Sequence, residues 1–163
     1  IARVKNIYSF DFLVGSIHFI DGWTFSHLKQ PWKAKEVNLD KLYHRYYELM
    51  YDLAESGLLS GLAHPNSLQC FGAYPISNYE SDYVRIARAL HKHNMYIEES
   101  SGLRISYGDT KLGMNKSMMK VMLQNGVKIH TASDAHVPEN TGKFILEMSS
   151  RIMIESKRLN DDL

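Results

Sequence analysis

An α/β fold built around a parallel sheet is what the order of patterns along the chain predicts. Short apolar runs with strand character alternate with longer segments whose apolar residues recur at helical spacing. Three of the apolar runs end in a histidine, or in an aspartate closely followed by a histidine. Strands separated by helices imply parallel pairing through right-handed crossovers, in a sheet that is either open or closed as part of a barrel.

The first strand and helix are predicted near the start of the chain. The N-terminus carries neither an initiator methionine nor a signal-peptide pattern, and a strand is expected almost at once, over residues 12–17. Asn38 is the expected N-cap of the following helix, and Gly57 lies where a left-handed C-cap belongs. The predicted apolar face of this helix consists of Leu39, Leu42, Tyr46, Leu49 and Leu53.

Three further units of strand and helix follow. A strand over residues 58–63 is followed by a polar loop, and a capping box at residues 77–80 then begins an amphipathic helix that ends near Asn94. The next unit is a strand over residues 95–98, a loop with several glycines and a helix over residues 115–125. In the last unit the expected strand and helix are, respectively, residues 127–132 and residues 139–159.

Composition excludes several classes of protein. The 163 residues are 44% hydrophobic, and 19 basic residues against 18 acidic ones leave a net charge of +1. This balance argues against a nucleic-acid or anionic-membrane partner. No apolar stretch approaches the roughly 20 residues that span a bilayer. The single cysteine, Cys70, excludes an internal disulfide and favours a cytoplasmic location, and no pattern indicates an oligomeric state.

Polar side chains at three strand ends are the strongest functional signal. Asp134 and His136 follow the last predicted strand, while His18 and His64 directly follow two earlier ones. Barrel enzymes keep their active sites at the carboxyl ends of strands. Imidazole and carboxylate groups suit zinc, manganese or iron, and open coordination favours catalysis. The alternative is that each histidine is a hydrogen-bonded structural residue, which the coincidence of three strand ends weakens.

Other residues receive structural interpretations. His44 on a helix and His130 within a strand are predicted to be structural, and His91 and His93 are predicted to be solvated. A group of methionines at helical spacing is predicted to pack in the core rather than to bind a soft metal. This group is Met114, Met118, Met119 and Met122.

Four segments together resemble a known family. They are GSIHFIDGW at residues 15–23, AHP at 63–65, SSGLR at 100–104 and SDAH at 133–136, the last with Pro138 and Glu139 close behind. Their order and spacing resemble those of histidinol-phosphate phosphatases of the PHP (polymerase and histidinol phosphatase) superfamily across nearly the whole chain. The first segment is the most specific evidence for this family, whereas AHP alone would be weak evidence.

The resemblance implies a distorted seven-stranded β/α barrel of TIM-like form, the PHP fold. It implies a cluster of up to three divalent ions, zinc, manganese or iron, that hydrolyses L-histidinol phosphate to L-histidinol and phosphate in histidine biosynthesis. The expected metal ligands are His18, His64, Asp134 and His136, of which Asp134 and His136 are also the expected catalytic residues. The partner would be a small phosphate ester, without nucleic acid or membrane.

The sequence departs from this family pattern at its beginning. No His-x-His precedes His18, and the bridging glutamate of the family is not found. Residues 1–163 are therefore expected to be a single PHP-type domain that is incomplete at its N-terminal side. Two alternatives remain, namely a non-catalytic remnant and a PHP phosphoesterase that acts on nucleotides or nucleic acid. The near-zero net charge makes the nucleic-acid alternative the weakest.

Three residues are predicted to contact the substrate. Arg104 would bind the phosphoryl oxygens, because it follows the predicted turn at residues 101–102 and because arginine binds phosphate through two hydrogen bonds. Glu98, or its neighbour Glu99, would support a ligand or bind the amino group of the substrate. Asp21 would shape the mouth of the pocket. A solvated surface position is the alternative for Arg104 and for Glu98.

Overall fold

A four-stranded parallel sheet and the helices around it form the structure, a computed structural model that describes residues 2–108 and 111–161. The elements are, in chain order, α1 (Ala2–Lys5), β1 (Val14–Gly15), β2 (Phe19–Ile20), β3 (Trp23–Thr24), α2 (Leu39–Glu55), β4 (Gly61–Leu62), α3 (Glu80–Lys92), β5 (Tyr96–Ser100), α4 (Gly102–Tyr107), α5 (Lys116–Gln124), β6 (Ile129–Ala132) and α6 (Ile145–Asp161). Within these described ranges, no helix is both long and apolar enough to cross a bilayer.

The strand order of the central sheet is β1-β4-β5-β6, with every neighbouring pair parallel. Each strand therefore pairs with the next strand of the sheet along the chain, and a helical connection lies between the two. The remaining strands, β2 and β3, form a separate antiparallel hairpin. The predicted α/β class with a parallel sheet is confirmed, while the seven-stranded barrel stays a prediction.

The helix boundaries agree with the local sequence signals at two N-caps. The Asn38 side chain accepts a hydrogen bond from the Lys41 N–H at 3.0 Å and begins α2. The Asn115 side chain accepts a hydrogen bond from the Met118 N–H at 2.9 Å and begins α5. Gly57 has the predicted left-handed backbone, with φ of 61°. These caps satisfy donors that would otherwise have no partner in the first helical turn.

The core lies between the sheet and helices α2, α3 and α5. Most of the predicted face of α2 packs there, but its fully buried side is shifted toward the tyrosines at positions 43, 46 and 47. The four methionines grouped by spacing are all buried, which confirms their role in packing. The predicted structural role of His44 is also confirmed, because its Nδ1 lies 2.9 Å from the Asp82 carboxylate.

The structure corrects several sequence-based boundaries. The described part of the chain starts with the short helix α1, which was not predicted, and the strand expected over residues 12–17 is reduced to Val14–Gly15. Phe12 does not pack in the core, since its side chain is exposed. The capping box also fails to form: Tyr79 is the N-cap of α3, and the Glu80 N–H donates to the Asn78 side chain instead.

Two corrections concern the region between β5 and the C-terminus. The predicted loop after β5 contains the helix α4, on which Arg104 lies, rather than an open turn. The last helix begins at Ile145 instead of residue 139, because Gly142 and Phe144 both have left-handed backbones, with φ of 77° and 63°, that interrupt a helix. Residues 138–140 form a separate turn of 3-10 helix.

Both apolar and charged side chains attach the last helix, α6, to the rest of the fold. Met148 is its one fully buried residue within the described range. Arg151 forms an ion pair with the fully buried Glu99 and also donates to the Met114 carbonyl oxygen at 2.9 Å. Burial raises the pKa of Glu99 to about 7, although the Arg151 guanidinium acts in the opposite direction.

Candidate active site

Four side chains predicted to act together do line one cavity. His18, His64, Asp134 and His136 all border a cavity of about 650 Å³. They follow strands β1, β4 and β6, whose carboxyl ends meet at the same edge of the parallel sheet. Residues that are up to 118 positions apart in sequence are thus brought together by the order of the strands.

The two histidines from β1 and β4 lie side by side. The centroids of the His18 and His64 rings are 5.0 Å apart. Nδ1 of His18 lies 2.9 Å from Oγ of Ser26, while the backbone N–H of His64 donates to the Glu98 carboxylate at 3.2 Å. Nδ1 of His64 is buried and has no hydrogen-bond partner among the described residues. A buried imidazole nitrogen without a partner is costly, and this atom is available to bind a ligand.

The aspartate and histidine after β6 are oriented by backbone contacts. Nδ1 of His136 donates to the carbonyl oxygen of Asp134 at 3.0 Å. Because a carbonyl oxygen can only accept, the proton of a neutral His136 ring is on Nδ1 and the lone pair is on Nε2. The Asp134 carboxylate lies against the backbone of Gly102, and any side chain at position 102 would collide with it.

Both His64 and Asp134 have strained backbones. Their φ angles are 27° and 50°, in the left-handed region that residues other than glycine seldom adopt. Strain of this kind is often found at functional sites, where it aims a side chain that ordinary geometry would direct elsewhere. Here it occurs at two of the four candidate ligands.

Burial favours the neutral form of two of the imidazoles, those of His18 and His64. Burial lowers the pKa of both His18 and His64, although the Asp134 carboxylate acts in the opposite direction. Burial also raises the pKa of Glu98, which Asp134 repels. A lowered histidine pKa leaves a lone pair available near neutral pH, and neutral imidazole is the form that binds metals.

The donor types of this cavity fit a divalent metal ion, since three imidazoles and a carboxylate are ligands for zinc, manganese and iron. The partnerless Nδ1 of His64 supports this fit. Within residues 2–108 and 111–161, however, no three His, Cys, Asp or Glu side chains are arranged to hold an ion.

The predicted substrate contacts are more dispersed. Arg104 pairs with Glu147 at 3.0 Å and borders a different cavity. Asp21 lies in the turn of the β2–β3 hairpin and pairs with Arg45 at 2.9 Å. Glu98 contacts the backbone of His64, as described above, and thus supports a candidate ligand. None of the three therefore borders the cavity of the histidines, and Glu98 alone contacts one of its lining residues, the backbone of His64.

Sequence reasoning missed several residues of this cavity. The missed residues are His27, Lys29, Ser26 and Tyr107. The Tyr107 hydroxyl donates to the Ser26 carbonyl oxygen at 2.5 Å. His27 and Lys29 lie in an irregular loop after β3, without a strand end or periodic pattern that would single them out. The only local signal was their proximity to the GSIHFIDGW segment.

These observations define an α/β protein with a histidine- and aspartate-lined cavity at the carboxyl edge of its sheet. No family model matches the chain. It is similar to a protein of Deinococcus radiodurans named "Probable histidinol-phosphatase", with 24% identity over 151 residues. The aligned region covers 87% of this chain and 54% of the relative, so the chain spans about half the length of that protein.

Proposed function

We propose that this chain supplies part of the active site of a phosphatase that converts L-histidinol phosphate to L-histidinol and phosphate. The observation that carries the proposal is the convergence of His18, His64, Asp134 and His136, from three strand ends, on one cavity. The similarity to a probable histidinol-phosphatase supports the choice of substrate. A cavity of about 650 Å³ is in the usual range for a small metabolite.

The proposed cofactor is a cluster of up to three divalent ions, zinc, manganese or iron, held by these four side chains together with ligands outside the described residues. When bound, such ions would neutralise phosphoryl oxygens and lower the pKa of a water molecule. Nε2 of His136 carries the lone pair with which the ring would bind a metal ion, because Nδ1 donates to the backbone. Glu98 holds the His64 backbone in position.

The protein's own cation for the phosphoryl group is proposed to be Lys29. Its side chain borders the cavity, whereas the guanidinium of Arg104 is held by Glu147 outside it. An ammonium group next to a phosphate forms charge-assisted hydrogen bonds that stabilise the bound ester. The sequence-based assignment of this role to Arg104 remains the alternative.

Phosphate release tests the proposed activity. The purified protein is incubated with L-histidinol phosphate, with and without manganese or zinc, and with AMP as a second substrate. We expect metal-dependent release from L-histidinol phosphate in preference to AMP. Preference for AMP would support the nucleotide phosphoesterase instead. If the protein encoded by the whole gene neither binds metal nor releases phosphate, the proposal is wrong and a non-catalytic remnant is favoured.

Replacing Lys29 tests the phosphate contact. Lys29→Ala should raise KM for L-histidinol phosphate by about tenfold, because loss of a charge-assisted hydrogen bond costs about 1.5 kcal/mol or more. Arg104→Ala should change KM much less, and the exposed Lys35→Ala is the matched control. A larger rise in KM for Arg104→Ala than for Lys29→Ala would show that Arg104, not Lys29, contacts the phosphoryl group.

A further inference from the structure

The loop after β3 is anchored to the fold immediately before it reaches the cavity of the histidines. The Phe25 side chain is fully buried, and its carbonyl oxygen accepts a hydrogen bond from Nε1 of Trp32 at 2.7 Å. The next carbonyl oxygen, that of Ser26, accepts a hydrogen bond from the Tyr107 hydroxyl. These contacts fix the path of the main chain that leads into His27, a residue that borders the cavity.

A local hydrogen bond determines the tautomer of His27. The backbone N–H of Lys29 donates to Nδ1 of His27 at 3.2 Å. Because a backbone N–H can only donate, Nδ1 carries the lone pair, and the ring is neutral with its proton on Nε2. Nε2 is the ring nitrogen farther from the main chain. The outer edge of the His27 ring therefore ends in a hydrogen-bond donor.

His136, which borders the same cavity, has the opposite tautomer. Its Nδ1 donates to the carbonyl oxygen of Asp134, so its Nε2 carries the lone pair. A metal ion binds the lone pair of a neutral imidazole, whereas an N–H group binds an acceptor atom. The two histidines are thus prepared for different ligands: His136 for a metal ion and His27 for an acceptor such as an oxygen.

The neighbouring charge indicates which acceptor suits His27. Lys29, two residues further along the loop, also borders the cavity and carries an ammonium group. A phosphate group has several acceptor oxygens, so it can receive a charge-assisted hydrogen bond from the ammonium and a second one from the imidazole. A cationic ligand would find no acceptor on the outer edge of His27 and would be repelled by Lys29.

We propose that His27 is a substrate-binding residue whose Nε2–H donates a hydrogen bond to an oxygen of the phosphate ester. The assignment rests on the proposed phosphatase function and adds a neutral donor to the Lys29 ammonium. The ring keeps its proton throughout and takes no part in proton transfer. The N–H that holds the ring belongs to the main chain, so Lys29→Ala leaves it in place and the two phosphate contacts can be tested separately.

Two substitutions at this exposed position separate the two ring nitrogens. In His27→Asn the shorter side chain can still accept the Lys29 N–H, since asparagine commonly bonds the backbone two residues on, but the outer donor is lost. In His27→Gln the longer side chain carries an amide donor about where Nε2 lies. The pair therefore tests the Nε2 hydrogen bond rather than the presence of a histidine.

We expect His27→Asn to lower kcat/KM for L-histidinol phosphate by about tenfold or more, because a hydrogen bond to a charged group is lost. His27→Gln should stay within about threefold of the unchanged protein. His91→Asn is the matched control, since it makes the same change at an exposed histidine that does not border the cavity. Unchanged kcat/KM in His27→Asn, or equal losses in both variants of His27, would overturn the assignment.

NMR of the histidine ring nitrogens tests the contact without turnover. The whole protein, labelled with ¹⁵N in its histidines and loaded with zinc, is titrated with inorganic phosphate, and the His27 signals are assigned by their absence in His27→Asn. We expect a proton on Nε2 and a saturable shift of Nε2 with phosphate. A proton on Nδ1, zinc in place of the Nε2 proton, or no shift would overturn the inference.

The two experiments distinguish a failure of this inference from a failure of the proposed function. A phosphate-dependent shift of Nε2 in a protein that does not hydrolyse L-histidinol phosphate would support the phosphate contact and contradict the phosphatase. Normal hydrolysis by His27→Asn would support the phosphatase and contradict the role of His27.

Discussion

Asp134→Asn should lower the turnover of L-histidinol phosphate by about a hundredfold or more, because metal ions contribute several kcal/mol of transition-state stabilisation and this carboxylate is a proposed ligand. Stability should change little. The φ of 50° at this position is one that asparagine accepts more readily than alanine does, so the backbone can keep its path. Steady-state turnover and urea unfolding, measured on the same preparation, separate the two effects.

The matched control for this experiment is Asp52→Asn, an identical change at an exposed position of α2. It should leave both turnover and stability unchanged. Near-normal turnover in the Asp134 variant would contradict the proposed site. A loss of turnover that parallels a loss of folded protein would show only that position 134 is structural.

Arg151→Ala should lower the free energy of unfolding by about 3 to 5 kcal/mol at about pH 8, because it leaves the Glu99 carboxylate buried without its partner. It also removes the donors to the carbonyl oxygens of Leu112 and Met114 and so releases the segment before α5. Urea unfolding followed by circular dichroism measures the loss. The control is the exposed Arg158 of the same helix, which pairs with the partly buried Glu155, and Arg158→Ala should cost at most about 1 kcal/mol.

The cost of Arg151→Ala should depend on pH. The pKa of Glu99 rises from the usual 4.5 to about 7 in the folded protein. Between these values the folded state retains a proton that the unfolded chain releases, so the contribution of Glu99 to stability falls as pH rises through this range. At about pH 5 the buried carboxyl is neutral, and losing Arg151 should cost less than at about pH 8. An equal cost at both values would contradict the raised pKa.

The parts of the fold that could be predicted are those with local signals. The predicted Asn38 cap and left-handed Gly57 marked helix ends that the structure shares, and the helix predicted over residues 115–125 does begin at Asn115, which is its N-cap. Helix α4 was missed because its six residues are too short for a periodic pattern. The start of α6 was placed too early, since nothing in the local sequence shows that Phe144 adopts a left-handed backbone.

The candidate site was predictable where a side chain directly follows a strand. The parallel strand order carries His18, His64 and Asp134 to one edge, so knowing the strand ends was sufficient to group them. The partner of Arg104 could not be foreseen, because Glu147 lies 43 residues away and the pair depends on how α6 docks. His27 and Lys29 were not predicted for a similar reason, because an irregular loop brings them to the cavity.

The way in which α6 is attached has a thermodynamic consequence. Detaching this helix would break the contacts of Glu147 and Arg151. Of the apolar side chains of α6 in the described range, it would uncover mainly Met148 and the partly buried Ile152, far fewer than global unfolding uncovers. Heat-capacity change and denaturant sensitivity both scale with the surface uncovered, so this opening should depend only weakly on urea. The amides of α6 should therefore exchange their hydrogens through a local opening, while those of α2 and α3 should exchange only on global unfolding.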